Sequence, residues 1–345
     1  MEYEIELKLI TPAQAGELIE SQLLPQLALN AEQQEFELTN RYYDTADRDF
    51  RKNGMGLRIR GCQGEFEQTI KTAGSTVAGL QQRPEYNIAL PSSTEPQWPD
   101  LSLFPATIWP VGFAVDKAQS ALQCLFTTHF TRTAYCLTLD KQSQIELVWD
   151  RGWVNSDGQT ESINELELEL KQGDICQLFE VARLLAKLMP VKIGLLSKAA
   201  RGYRLLNRQA QADKQPSKPL SLLSEDDIKH TSLTQLRSLV AKHLSAWQKL
   251  VTQFEQQTSE GVWQQISQIW QQLTLLLEQC CRLEPLNSAL IVSAMQDYQQ
   301  DWHSLELSET AMPVNWHDAF EVLSGKTAFL MQLAIMQYLV EQQSN

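Results

Sequence analysis

Glutamates spaced two apart on a β-strand are the feature that most restricts this chain. Glu4-Ile5-Glu6-Leu7-Lys8 opens it, and Ile163-Asn164-Glu165-Leu166-Glu167-Leu168-Glu169-Leu170-Lys171 repeats the pattern far downstream. Successive side chains of a strand point to opposite faces. Tyr3, Ile5, Leu7 and Leu9 then share an apolar face, and Glu4, Glu6 and Lys8 a charged one. In the second stretch Glu165, Glu167 and Glu169 oppose Leu166, Leu168 and Leu170. Like charges at this spacing repel, and Glu is disfavoured in strands. Either the face lies in water, or a divalent cation sits among the carboxylates, Mg²⁺ and Mn²⁺ being ions that prefer oxygen ligands.

Further stretches also pair one apolar face with one charged face. Leu57 and Ile59 alternate with Arg58 and Arg60. The turn Gly61-Cys62-Gln63-Gly64 leads into a return strand that groups Glu65, Glu67, Thr69 and Lys71. Residues 82–90 group Arg83, Glu85 and Asn87, and Pro84 there predicts an edge strand or a strand start. Strands are also expected at 38–45, at 126–139 with Arg132, and at 144–153, where Glu146, Val148 and Asp150 share a face. Thr11 as N-cap with Pro12 behind it predicts a helix fading near Leu24-Pro25, and the apolar spacing of 174–188 predicts another. Residues 91–112, rich in Pro and Ser, read as loop and a short helix.

Six or more mostly antiparallel strands of this kind can close into a barrel. If helices cover the outside, the charged faces line the lumen. Carboxylates of Glu4, Glu6, Glu146, Asp150, Glu165 and Glu167 then stand against Lys8, Arg58, Arg60, Lys71, Arg83 and Arg132. Such a lining suits a polyanion with bound metals: Mg²⁺ or Mn²⁺ on the carboxylates, phosphate oxygens on Arg and Lys. No Walker A motif occurs, so a phosphate site here is not a P-loop. An ordinary half-exposed sheet is the competing reading of the same alternation.

Downstream the strand pattern stops. Residues 207–220 read as a polar, Pro-punctuated linker between a first domain, 1–206, and a second, 221–345. Ser224 before Glu225-Asp226-Asp227 is a helix start, and periodic stretches near 226–257, 260–282, 286–303 and 314–342 predict a bundle of four or five helices. Its Trp and Leu stripes read as core, and His230, His243, His303 and His317 as surface or capping residues. The apolar run Ala328 to Val340, broken by Gln332 and Gln337, is expected to be too short to span a bilayer. The net charge of −13 counts against duplex nucleic acid as a partner. Six cysteines without a C-x-x-C pair, and an acidic amino-terminal strand in place of a signal-peptide pattern, predict a cytoplasmic protein with free thiols and no membrane partner.

Glu4-Ile5-Glu6-Leu7-Lys8 also resembles the E-x-E-x-K signature of the CYTH, or triphosphate tunnel metalloenzyme, superfamily. Further matches follow in family order: Tyr42-Tyr43-Asp44-Thr45, Leu57-Arg58-Ile59-Arg60, Thr69-Ile70-Lys71, Gly79-Leu80-Gln81-Gln82-Arg83-Pro84-Glu85-Tyr86, Glu165 to Leu170, and Ser197-Lys198-Ala199-Ala200-Arg201-Gly202-Tyr203. Within the superfamily the chain is most similar to bacterial inorganic triphosphatases that carry a helical CHAD-type region. The resemblance implies an α+β chain, with an eight-stranded antiparallel β tunnel and flanking helices followed by an all-α helical bundle. It also implies metal-dependent hydrolysis of inorganic tripolyphosphate to diphosphate and phosphate. Glu4, Glu6, Glu165 and Glu167, with Glu146 or Asp150, would hold Mg²⁺ or Mn²⁺; Lys8, Arg58, Arg60, Lys71, Arg83, Arg132 and Lys198 would hold substrate. Glu4, Glu6 and Lys8 carry the catalytic expectation, Lys8 moving a proton only if its pKa is lowered.

Two departures from the family pattern stand out. Glu169 is a third acid, expected to face solvent at the tunnel mouth, and Asn87 stands where relatives often carry an acid. The C-terminal region is short and acidic for a CHAD domain, so polyphosphate binding is not carried over to it. The alternatives are a class IV adenylate cyclase or a thiamine or nucleoside triphosphatase on the same fold, or a non-catalytic polyphosphate-binding module.

Overall fold

The computed structural model describes residues 2–27, 30–91, 95–139, 143–207, 222–285, 288–308 and 310–341. The expected linker, apart from Asn207, lies outside them. Ten strands form one sheet: β1 (Glu2–Ile10), β2 (Asn30–Thr45), β3 (Gly56–Cys62), β4 (Glu65–Lys71), β5 (Ser75–Val77), β6 (Leu80–Leu90), β7 (Leu122–Thr138), β8 (Gln144–Ser156), β9 (Gln159–Gln172) and β10 (Lys192–Ile193). Their order is β10-β1-β9-β8-β7-β2-β3-β4-β6-β5, and β1 also pairs with β6. That last pairing closes an eight-stranded barrel, with β5 and β10 as short additions. Closure removes the exposed edges that an open sheet would leave.

The alternation read from the sequence decides the two faces. Outward residues Leu57, Ile59 and Ile70 join Tyr43, Phe50, Leu101, Phe104 and Ile108 in one buried apolar cluster. Thus the Pro-rich stretch that sequence patterning left open covers the outside of β2, β3 and β4 with two 3₁₀ turns, Leu101–Leu103 and Ala106–Ile108. Gln68 pins it: its side chain exchanges two 2.8 Å hydrogen bonds with the Asp100 backbone.

Three local expectations fail. The first helix begins at Ala15 with no side-chain cap. Thr11 instead offers its carbonyl to Asn164 on β9, at 2.9 Å. The helix also continues past Pro25 to Leu27. A π turn over Ile19–Leu23 precedes the proline, where its ring would otherwise collide with the preceding turn. Pro84 lies inside a barrel strand, one residue beyond the last β4–β6 pair, Lys71↔Glu85, where no ladder bond to β4 needs its missing N–H.

One end of the barrel is filled with apolar side chains. Leu38, Phe126, Phe130, Val154 and Ile163 cluster there with Tyr203 and Leu205 of the helix Lys198–Leu206. Gly202 is required by close approach, since a Cβ would lie 2.1 Å from the Phe126 ring. Tyr203 donates to Asp44 Oδ2 at 2.7 Å, and the same carboxylate accepts from the amides of Thr45, Phe50 and Arg51. Tyr203→Phe is expected to cost about 1.5–3 kcal/mol, as for a hydrogen bond to a charged group, in urea unfolding.

The chain forms two compact units that interleave in sequence: one holds the barrel, the other the C-terminal helices with Val77–Leu80 and Phe179–Lys192. The C-terminal helices are Glu225–Lys229, Leu233–Gln256, Glu260–Leu283, Ala289–Ser304, Trp316–Ser324 and Lys326–Glu341. The first predicted helix is two, because Ser232 and Gln235 form a second capping box after that of Ser224 and Asp227. Trp247, Trp263, Trp270 and Tyr298 are core, as the stripes predict. His243 is a correction: it is buried, its ring Nδ1 lies 2.8 Å from the Leu239 carbonyl, and burial pushes its pKa down. The last two helices together, Trp316–Glu341, are long and apolar enough to cross a membrane by length and composition alone. Within this unit their Ala328, Phe329, Leu333, Ile335 and Met336 are buried.

Candidate active site

The cavity, about 220 Å³, lies inside the barrel. Strand register builds its walls row by row. Across β1, β9 and β8 the rows are Glu6–Glu169–Glu146, Lys8–Glu167–Val148 and Ile10–Glu165–Asp150. The facing wall carries Tyr42–Arg58–Thr69–Asn87 and Gly56–Lys71–Glu85, with Arg60 beside Asn40. The carboxylate wall and the cationic wall therefore arise from different strands, as the alternation predicts. Cationic side chains on the lining outnumber carboxylates, in a chain whose net charge is −13.

Eleven of the predicted residues line the cavity: Glu4, Glu6, Lys8, Arg58, Arg60, Lys71, Arg83, Arg132, Glu146, Glu167 and Lys198. Asp150 and Glu165 do not. Both are 0 % exposed and lie beneath the lining, in the Arg132 layer. The carboxylates of Asp150, Glu165 and Glu167 come within 4.8 Å of one another, close enough to share an ion. Four cationic side chains contact these carboxylates. Arg132 grips Asp150 through two bonds of 2.8 and 2.7 Å and reaches Glu167 at 2.8 Å. Lys198 contacts Asp150, Glu165 and Glu167 at 2.6, 2.7 and 3.0 Å. Lys8 meets Glu165 at 2.9 Å and also Glu167, and Arg201 meets Glu165 at 2.5 Å. Burial opposes the ionisation of these acids, but Lys198, Lys8, Arg132 and Arg201 override it and hold all three below the usual carboxylate range.

The same network corrects the condition set for Lys8. Burial would lower its pKa, yet Glu165, Glu167 and Glu6 raise it well above the ordinary value. Lys8 is thus held as an ammonium, and the lowered pKa that proton transfer would require is not found. Gly194 fixes its stem: a Cβ there would lie 2.7 Å from Lys8 Cγ.

The mouthward row behaves in the opposite way. Glu4 pairs with Lys71, and Lys171 is shared by Glu146 at 3.2 Å and Glu169 at 2.8 Å. Glu6, 7 % exposed, has no hydrogen-bond or ion-pair partner among the described residues. Burial, reinforced by neighbouring carboxylates, raises the pKa values of Glu4, Glu6 and Glu169. Glu169 is part of the cavity lining and only partly exposed. The cationic wall has the complementary deficit. Arg83 has no acidic partner among the described residues, and the Nε atoms of Arg58 and Arg83 are buried without an acceptor. Arg60, bonded only to Asn40 among the described residues, is lowered to about 10 by burial and by Arg58 and Arg132.

Sequence reasoning passed over Glu85, Lys171 and Arg201 as site residues. Glu85 bridges Arg58 at 3.3 Å and Lys71 at 3.1 Å, and its pKa falls to about 2 because Lys71 and Arg58 overcome the cost of burial. Its signal was available, since it alternates with Arg83 and Asn87. Arg201 was signalled by its i,i+3 spacing from Lys198 on one helix.

Comparison with known proteins agrees with this geometry. The chain is 36% identical over 211 residues to an inorganic triphosphatase of Haemophilus influenzae, an alignment covering 61% of this chain and 57% of that one. Thus the chain spans little more than half the length of that curated relative. Similar solved structures include a Hippeastrum protein described as an adenylyl cyclase with a dominant triphosphatase activity (18% identity, 58% of this chain and 95% of that one, TM-score 0.40). Another is a Pyrococcus horikoshii OT3 protein (19% identity, 59% and 99%, TM-score 0.35). The model of the CYTH domain matches residues 2–203, more than half of the chain, and the chain belongs to the CYTH domain family.

Proposed function

We propose that this chain is a metal-dependent triphosphatase that hydrolyses inorganic tripolyphosphate to diphosphate and phosphate, with residues 1–206 as its tunnel domain and 221–345 as a helical domain. The observation that carries the reading is the paired deficit inside one cavity: a carboxylate row short of cations faces an arginine wall short of anions. The donor set fits a hard divalent cation. Among the described residues Glu6 is a buried carboxylate with no hydrogen-bond or ion-pair partner, and Glu4, Glu146 and Glu169 are served only by Lys71 and Lys171. Mg²⁺ or Mn²⁺ held by these residues would act as a Lewis acid toward phosphoryl oxygen and water. Arg58, Arg60, Arg83 and Lys71 bind and orient the phosphate chain, with bidentate bonds from the guanidinium groups. Lys8, Arg132 and Lys198 stabilise charge on phosphoryl oxygens, and the buried acids beneath hold these cations in place without moving during the reaction.

The lining favours an inorganic triphosphate over a nucleotide. Pockets for larger organic ligands run to roughly 300–1,000 Å³, against about 220 Å³ here. Its two aromatic rings are engaged: Tyr42 stacks on Phe126 at 4.7 Å, and Phe130 lies beneath Lys198 and Arg132. Phosphate release from tripolyphosphate, ATP and thiamine triphosphate, with Mg²⁺ and then with chelator, tests the reading. Fast metal-dependent release from tripolyphosphate, well above the other two, is expected; no release from any of them sinks it.

Glu146 and Asp150 should separate in the same protein. Glu146→Gln is expected to weaken Mg²⁺ binding about 10-fold in calorimetric titration, with little change in melting temperature. Asp150→Asn should lower the melting temperature, because it weakens the grip on Arg132 and Lys198. A variant pair with these effects reversed would return Asp150 to the metal.

A further inference from the structure

Within the helical unit, Val77–Leu80 form the tip of the β5–β6 hairpin. Ala78 and Gly79 both have positive φ, +50° and +115°. A two-residue hairpin turn of this kind ordinarily carries Asn, Asp or Gly at its first position. Alanine is strained there, and such strain persists only where the surroundings enforce it. Here two buried amides do so. Gln248, on the helix Leu233–Gln256, donates to the Ala78 carbonyl at 2.6 Å and to Gln332 Oε1 at 2.9 Å. Gln332, on Lys326–Glu341, donates in turn to the Ala328 carbonyl at 3.1 Å. Ala78, Gln248 and Gln332 are all buried. Two glutamines in an apolar helical core are costly unless they are bonded, and the bond they make beyond their own helices is to this turn. From Leu80 the backbone of β6 runs directly into Gln81, Arg83, Glu85 and Asn87, which line the tunnel. Glu85 and Asn87 are tied by side-chain bonds to Arg58 and Thr69, but Arg83 has no acidic partner among the described residues, so the course of the backbone largely determines where its guanidinium lies.

We propose that Gln248 and Gln332 are a clamp by which the helical unit fixes the β5–β6 turn and, along the continuous strand, the position of Arg83 for anion binding. They are positioning residues, and the activity arm of their test rests on the triphosphatase reading above. Gln248→Met keeps the side-chain volume and removes the donor. It is expected to raise KM for tripolyphosphate about tenfold with kcat within about twofold, the signature of binding lost equally from the ground and transition states. Amide hydrogen exchange at residues 78–83 should quicken. Adding Ala78→Gly, which relieves the turn strain, should bring KM and exchange back close to those of Ala78→Gly alone; a general loosening of the helices would not be rescued in this way. Gln332→Met, the milder change, should give a smaller shift in the same direction. Unchanged exchange at residues 78–83 overturns the clamp whatever the activity. Faster exchange with unchanged KM overturns its link to Arg83, and a KM effect that Ala78→Gly does not relieve overturns the role of the turn. A parent protein that releases no phosphate from tripolyphosphate would defeat the triphosphatase reading alone, and exchange would then decide the clamp.

Discussion

Glu6→Gln is expected to lower kcat for tripolyphosphate by about 100-fold or more at saturating Mg²⁺, while the metal-free protein melts at or above the temperature of the parent. The two halves of this result have one cause. Burial, with the carboxylates of Glu167 and Glu4 nearby and no hydrogen-bond or ion-pair partner among the described residues, raises the pKa of Glu6. A carboxylate raised in the folded state supports folding at acid pH, and that contribution is lost as pH rises through its folded value. Wherever the group is ionised it is therefore a burden on the metal-free fold, and a neutral isostere removes it. The same group is the strongest candidate to receive a cation, so the stabilisation of the melting temperature by Mg²⁺ should shrink in the variant. Phosphate release and thermal melting with and without Mg²⁺ check both parts. Full activity with unchanged metal dependence would remove Glu6 from the metal site.

Arg132→Met is expected to cost about 3–5 kcal/mol of stability, the usual penalty for leaving a buried ion without its partner. Asp150 is fully buried and would keep only Lys198, at 2.6 Å. The sign of the pH effect follows from the lowered pKa values of Asp150, Glu165 and Glu167. Their contribution is present above the ordinary carboxylate range and is lost as pH falls through their folded values. Removing Arg132 lets those values of Asp150 and Glu167 rise, so acid unfolding should begin at higher pH. Urea unfolding at neutral pH and an acid titration followed by circular dichroism measure the two effects. Adding Asp150→Asn should recover part of the stability and none of the activity, because the cation facing the cavity is still missing. An Arg132→Met protein as stable as the parent would mean that the buried acids do not depend on this pair.

Much of the site was legible because strand alternation is strict. A residue's parity decides its face, so Glu4, Glu6 and Lys8, or Arg58 and Arg60, could be grouped before any contact was known. Parity also carried enough to include Glu85 and Glu169, whose neighbours on the same strands had already been assigned to the lumen. Depth along the tunnel was not legible. Glu165, Glu167 and Glu169 look alike in sequence, yet one is sealed beneath the cavity, one is bound by three cations and one lines the mouthward row. Glu146 and Asp150 likewise share a strand face and occupy different layers.

By itself the sequence determined which residues face inward, that acids predominate on some strands and bases on others, and that a helical region follows the strands. These properties are periodic and local, and each is written in a few consecutive residues. The tertiary structure alone decided the register between strands more than 150 residues apart in places, the closure of β1 on β6, and the insertion of Lys198 and Arg201 among the buried acids. From these follow the pairing of each charge and the sign of each pKa shift. Charge–charge energies depend on distance and burial, and both are set by how strands distant in sequence are brought together.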